Sequence, residues 1–157
     1  MRARVVVALA LAVLLTSCDA IAAVRQGSPE AAVRALYGDL EDAAFDDAVA
    51  LVRASDGSQL TDARRAEILR AWSGSFADAP FTVGDVAFTG QSNLAASEAA
   101  GIRGGEALRL TFDLTGTSDT SCIGVPATGL ALVAAKIDGR WYLVEGPDFD
   151  RALLPHC

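Results

Sequence analysis

The carboxylates of Asp113 and Glu145 are the side chains whose positions best suit acid–base chemistry. Asp113 alternates with apolar residues in a segment with the pattern of a strand, and Glu145 ends the last strand-like segment. A carboxylate held in a cavity can act as a general base, whereas one on the wet face of a sheet has no catalytic part to play. His156 is the one histidine, and its place beside the last residue makes it a poor base candidate. The sequence thus assigns no catalytic residue, keeps Asp113 and Glu145 as candidates, and disfavours an enzyme without excluding one.

Other kinds of active site lack their sequence motifs. The sequence contains no GxSxG motif, and its glycine spacing around residues 101–105 matches neither a dinucleotide-binding loop nor a phosphate-binding loop. A cluster of acidic residues lacks the alternating ligands and central glycine of a calcium-binding EF-hand loop. The cluster comprises Asp39, Glu41, Asp42, Asp46 and Asp47. We therefore expect neither a metal ion nor a cofactor.

Four aromatic residues offer two interpretations. They are Trp72, Phe76, Phe112 and Trp141. Aromatic side chains line many ligand cavities, so these four could surround a small apolar ligand. The same residues at amphipathic spacing are also typical of an ordinary core, and the sequence leaves both interpretations open.

The composition restricts the class of protein. The chain has 157 residues, of which 52% are hydrophobic, so it can form one globular domain together with a targeting segment. Its 13 basic and 20 acidic side chains give a net charge of -7. Non-specific nucleic-acid binding needs a basic surface, so nucleic acid is excluded as a partner.

Residues 1–17 have the features of a secretory signal peptide. Arg2 and Arg4 precede an uninterrupted apolar run at residues 5–15, which is too short to span a bilayer because about 20 apolar residues are needed. The segment Leu15-Thr16-Ser17-Cys18 that follows resembles the lipobox of bacterial lipoproteins. The resemblance implies cleavage before Cys18, a diacylglycerol on its thiol, and a further acyl chain such as palmitate on its amino group. The alternative is an ordinary signal peptide that is cleaved elsewhere.

The lipobox resemblance implies a location and a partner. The protein would be anchored on the extracytoplasmic face of the cell membrane by acyl chains on Cys18, since several chains on one residue hold a protein stably in a bilayer. Its acidic body would be repelled by an anionic leaflet, so the lipid would provide the attachment. We expect residues 18–27 to form a lipidated tether and residues 28–157 a single globular domain.

Cys122 and Cys157 remain once Cys18 is assigned to lipid. Disulfides form in extracytoplasmic compartments, so we expect these two cysteines to pair. The bridge would close a loop of about 35 residues and contribute roughly 3 to 4 kcal/mol to stability. Two free thiols are the alternative, and a metal site is disfavoured because only His156 could join them and no CxxC spacing exists.

Helical patterns fill the first half of the expected domain. Ser28 as N-cap and Pro29 at the first helical position predict the start of an amphipathic helix that reaches about residue 40. Apolar spacing resumes in a second, shorter helix at about residues 46–53. A third helix begins at Thr61 or Asp62. Its expected buried face comprises Ala66, Leu69, Trp72 and Phe76.

Strand patterns fill the second half. They occur at residues 81–89, 108–115, 130–137 and 141–144. Asp138-Gly139 predicts a hairpin with a type I′ turn between the last two strands, and Gly104-Gly105 predicts a tight turn before the second strand. A final helical turn is expected at residues 148–154.

Helices followed by a meander of strands predict an α+β fold, with N-terminal helices packed on a curved antiparallel sheet of about four to five strands. The order of elements resembles the nuclear transport factor 2-like superfamily, whose cone-shaped domains share the cystatin-like fold. The resemblance rests on residues 28–37 at the first helix and residues 136–144 at the closing hairpin. It implies an isomerase or cyclase that uses a cavity carboxylate as one possible function. Because no acid–base pair can be named, the sequence favours a non-catalytic module that binds a small apolar ligand or an envelope protein.

Overall fold

The computed structural model describes residue 21 and residues 23–76, 81–118 and 126–153 of the chain. The helices in this part are α1 (Pro29–Glu41), α2 (Phe45–Ala50), α3 (Asp62–Phe76), α4 (Ala96–Ala99) and α5 (Pro147–Leu153). The strands are β1 (Val52–Arg53), β2 (Phe81–Asn93), β3 (Glu106–Ser118), β4 (Ala127–Ile137) and β5 (Arg140–Val144). Cys18, Cys122, His156 and Cys157 lie outside the described residues, and so do the signal peptide, the lipidation site and the disulfide predicted from them.

The predicted α+β class is confirmed, with helices packed against an open five-stranded sheet. The strand order is β1-β5-β4-β3-β2. Strands β2 to β5 form antiparallel pairs, whereas β1 runs parallel to β5, so the sheet is mixed. This architecture is consistent with the nuclear transport factor 2-like fold expected from the sequence.

Helix α1 begins where the sequence predicts. The Ser28 hydroxyl accepts a hydrogen bond from the Ala31 backbone N–H at 3.1 Å, and Pro29 is the first helical residue. This cap satisfies one of the backbone donors that a helix leaves unpaired at its start. The buried side is the predicted apolar stripe of Ala32, Val33, Leu36, Tyr37 and Leu40.

The second predicted helix is correct only in its first part. Helix α2 ends at Ala50, and Val52 and Arg53 form β1 instead of continuing to residue 53. The carbonyl oxygens of Leu51 and Arg53 accept hydrogen bonds from the N–H groups of Leu143 and Glu145, each at 2.9 Å. Pairing with a distant strand thus replaces the last helical turn.

Helix α3 begins where the sequence predicts but buries a partly different set of residues. Ile68, Trp72 and Phe76 are buried at intervals of four residues. Ala66 is exposed, so the predicted face was wrong at this position, whereas Leu69 is half-buried and packs against the core. The core lies between these helices and the inner face of the sheet, where the side chains of Leu110, Phe112, Leu132 and Leu143 are buried.

The strand predictions are confirmed, with longer boundaries. Leu110, Phe112 and Leu114 of β3 are buried on one face, as their alternation predicts. Asp138 and Gly139 have φ angles of 51° and 80°, which are the two positive values that a type I′ turn requires.

Residues just before helix α1 cover the part of β5 that the short edge strand β1 leaves unpaired. The Gln26 carbonyl accepts a hydrogen bond from the Trp141 N–H at 3.0 Å, and the Gln26 side-chain amide donates to the Trp141 carbonyl at 3.2 Å. Together with the contacts of Leu51 and Arg53, these bonds satisfy the outward-facing N–H groups at positions 141, 143 and 145. An exposed strand edge favours aggregation, so this cover protects the sheet.

Gln26, two residues before Ser28, is also buried. Residues 23–25, just before it, are helical. Among the helices of the described residues, none has both the length and the apolar character needed to span a membrane.

Candidate functional site

The structure places the four predicted aromatic residues in the packed core. Trp72 and Phe112 are fully buried, and Phe76 and Trp141 nearly so. The Trp72 indole N–H donates to the Leu153 carbonyl at 3.1 Å, which ties α3 to α5. Phe112 makes an edge contact with Tyr37, with 5.8 Å between ring centroids. The two surface cavities described below are lined by other side chains.

Asp113 supports the backbone at an irregularity of the sheet. The β3–β4 register shifts between Phe112 and Leu114, so residues 128 and 129 both lie opposite Asp113. The Asp113 carboxylate accepts the Gly129 N–H at 2.8 Å, and Gly129 has a φ of 65°. A β-bulge leaves one residue outside the ladder, and Asp113 provides an acceptor for its donor.

Glu145 belongs to an ion-pair network centred on Arg64. The Arg64 Nε lies 2.6 Å from the Glu145 carboxylate, and its terminal nitrogens reach Glu67 at 3.0 Å and Asp150 at 3.2 Å. Burial lowers the pKa of Arg64, but its hydrogen bonds with Glu145 and Glu67 outweigh that effect, so its pKa is raised. The network joins helices α3 and α5 to the end of β5.

The two candidate carboxylates are therefore not brought together. Strand β4 separates β3, which carries Asp113, from β5, which Glu145 follows. Each carboxylate accepts a hydrogen bond from another element through one of its oxygens. Their present contacts are structural.

A small cleft lies beside Glu145 and contains a second arginine network. The Arg109 guanidinium lies 2.6 Å from Asp148 on α5 and 3.3 Å from Glu98 on α4. The cleft has a volume of about 160 Å³, and its apolar lining includes Ile102, Val133, Val144 and Phe149. Sequence reasoning missed Arg109 as a bridging residue, although the alternation of β3 placed it on the face opposite the core.

A larger groove lies at the N-terminal end of the described chain, and we name it the N-terminal groove. Its volume is about 380 Å³, and its lining includes Ile21, Arg25, Gln26, Asp47, Leu51 and Tyr142. Ile21 and Val24 are 60% and 77% exposed and are the exposed large hydrophobic residues in the described part of the chain. Sequence reasoning missed the groove because this segment resembled a simple tether.

Carboxylates outnumber arginines at the α1–α2 side of this groove. Arg25 forms an ion pair with Asp39. The pKa of Asp39 is raised, chiefly because the carboxyl is buried. The negative charges of Asp47 and Asp42 raise it further, and together these effects outweigh the lowering by Arg25. Asp47 and Asp42 form no ion pair with any residue that the structure describes. The groove thus combines apolar walls with uncompensated negative charge.

No protein-family model matches this chain. A search of curated proteins also finds no match. The functional argument therefore rests on the residues and the geometry described above.

Proposed function

We propose that this protein is a lipoprotein anchored at the extracytoplasmic face of the cell membrane, where its single domain acts as a non-catalytic protein-interaction module. The lipobox-like segment supports the anchoring. The interaction role is supported chiefly by one observation: the predicted cavity aromatics pack in the core, while the larger of the two cavities described above opens at the surface beside the N-terminal end.

The position of Gln26 supports a membrane-proximal role. Gln26 lies eight positions after Cys18 in the sequence. Each residue of a fully extended chain spans at most about 3.6 Å, so the docked end of the domain would lie within about 30 Å of the anchor. The N-terminal groove would therefore be accessible to the membrane-proximal segments of other envelope proteins.

Intact-mass measurement and membrane fractionation test the anchoring. The wild-type chain should begin at Cys18, carry a diacylglyceryl group and an acyl group, lack two hydrogens for the Cys122–Cys157 bridge, and fractionate with membranes. Cys18→Ser should abolish the lipid additions and the membrane association. Cys122→Ser is the matched control and should lose only the bridge. A Cys18→Ser protein that is still lipidated and membrane-bound would refute the anchoring.

Native mass spectrometry of the protein, purified gently from its own membranes, tests the interaction role. We expect a complex with an additional protein-sized mass. An additional non-covalent mass of a few hundred daltons would instead support the small-ligand alternative, since the groove has the volume of a small-molecule site.

A further inference from the structure

We propose that the N-terminal groove docks a partner-protein segment in which a bulky apolar side chain lies next to lysine or arginine. This inference rests on the proposed function and specifies its partner. Three properties of the groove support it: its apolar walls, its fixed shape and its charge.

The walls favour an apolar anchor. Leu51 is buried at the base of the groove, and Ile21 at its border leaves most of its side chain in water. Val24, one helical turn further along the chain, is also exposed. Exposed apolar residues next to a cavity are typical of interaction sites, and one large side chain filling such a cavity commonly dominates binding.

Backbone hydrogen bonds hold the groove in shape. Gln26 is bonded to Trp141 on both its carbonyl and its side chain, and the Leu51 carbonyl is bonded to Leu143. These three hydrogen bonds connect the N-terminal wall and the α2–β1 junction to the same strand. A preformed site binds more tightly because less conformational entropy is lost on association.

The charge selects a basic segment. Asp39 is paired with Arg25, and Arg53 stacks on the Tyr142 ring at 3.6 Å, which leaves Asp42 and Asp47 without a cation among the described residues. Asp46, beside them, is paired with Arg65 at 2.8 Å. Asp47 lines the groove, so a lysine or arginine beside the docked apolar side chain would meet its carboxylate.

The same charge disfavours two other occupants. The chain carries a net charge of -7, so a second copy would bring like charge to the groove. An anionic lipid surface would be repelled for the same reason. A basic and apolar protein segment satisfies both the walls and the charge.

Peptide titration of the full lipidated chain in phosphatidylcholine nanodiscs tests the proposal. The probes are two sets of ten-residue peptides, each with a central leucine or phenylalanine flanked by lysines in one set and by glutamates in the other. Binding is followed through the amide resonances of Ala50 and Leu51. The lysine-flanked set should bind on the order of fivefold more tightly, which corresponds to about one ion pair near water.

Two variants with the same change in net charge locate the effect. Asp47→Asn should reduce the preference for lysine to less than about twofold. Thr89 is exposed on β2, at the opposite edge of the sheet from β1. Thr89→Lys should therefore leave the preference for lysine-flanked peptides intact. An equal loss of preference in both variants would show a general charge effect and would overturn the proposal.

The remaining outcomes separate this proposal from the proposed function. Equal affinity for the two peptide sets at the groove would overturn the basic partner but retain an apolar docking site. Resonance changes on exchanging phosphatidylcholine for phosphatidylglycerol, without peptide, would identify the bilayer as the occupant. If no peptide binds, the groove is not a docking site and this proposal is overturned. The interaction module itself is contradicted by a different result, the absence of a protein complex in the native mass spectrum.

Discussion

At the scale of single residues, the partners of Arg64 differ in how far they are shielded from water. Glu145 is 14% exposed, whereas Asp150 is 51% exposed, although both carboxylates contact the same guanidinium. Water screens an exposed ion pair strongly, so the two contacts should differ in their contribution to stability.

We therefore expect Glu145→Gln to lower the free energy of unfolding by about 1 to 2 kcal/mol, because it removes a shielded, charge-assisted hydrogen bond. Asp150→Asn is the matched control, and its effect should stay below about 0.5 kcal/mol. Urea denaturation of the two variants measures both values. Equal losses would contradict the assignment of Glu145 as the principal partner of Arg64.

The sequence identified Asp113 and Glu145 as candidate site residues, but it did not predict what their carboxylates contact. The alternation of residues in β3 predicted that Asp113 lies on the face opposite the core. The pattern of the last strand predicted that Glu145 lies at its end. The partner of Glu145 lies 81 residues away on α3, and the partner of Asp113 is a backbone N–H exposed by a change of register. Neither contact is encoded by local spacing, since both depend on which elements meet in the folded chain.

At the scale of elements, two separate pieces of chain, at Gln26 and at residues 51–53, complete the hydrogen bonding of strand β5. Gln26, Leu51 and Arg53 each contribute a carbonyl acceptor, and Gln26 also supplies the side-chain donor to the Trp141 carbonyl. That side chain is buried, so removing it would leave a backbone acceptor without a partner.

Gln26→Ala should accordingly lower the free energy of unfolding by about 1 to 2 kcal/mol. It should also speed hydrogen exchange at the Trp141 amide, which relies on the Gln26 segment for its acceptor. Gln59→Ala makes the same chemical change at an exposed position and should alter stability by less than about 0.5 kcal/mol. Hydrogen exchange at Trp141 that is unchanged in Gln26→Ala would contradict this account of the sheet edge.

Element prediction succeeded where the signal is local. The Ser28–Pro29 cap, the alternation of β3 and the Asp138–Gly139 turn each determine a structure within a few residues, and all three are observed. Strand β1 was missed because two residues carry no periodicity and their partners lie about 90 positions later. Ile68 was missed because the orientation of α3 depends on the surface against which the helix packs.

At the scale of the whole molecule, Tyr37 couples stability to alkaline pH. Its ring lies between helix α1 and the sheet, and its hydroxyl donates to the Ala152 carbonyl at 3.4 Å. Burial raises the pKa of Tyr37 well above its ordinary value of 10.0. In the unfolded chain the side chain regains that ordinary value, so the folded state keeps a proton that the unfolded state releases.

The stability that Tyr37 contributes is therefore present below pH 10 and is lost as the pH rises further. Above pH 10, we expect the free energy of unfolding of the wild type to fall more steeply with pH than that of Tyr37→Phe. The difference between the two slopes should be about 1.4 kcal/mol per pH unit. Denaturant titrations of both proteins between pH 7 and pH 11.5 measure the difference. Parallel curves above pH 10 would contradict the burial of a neutral phenol.

The two hydrogen bonds between Gln26 and Trp141 also determine how the fold would respond to a mechanical load. In the proposed anchored form, tension between the bilayer and the domain would reach the Arg25–Asp39 ion pair first and then the Gln26–Trp141 hydrogen bonds. Gln26 lies ahead of helix α1 along the chain, so its hydrogen bonds bear the pull before the start of the helix does. If these two hydrogen bonds broke first, the tether would lengthen by a few residues before helix α1 came under load.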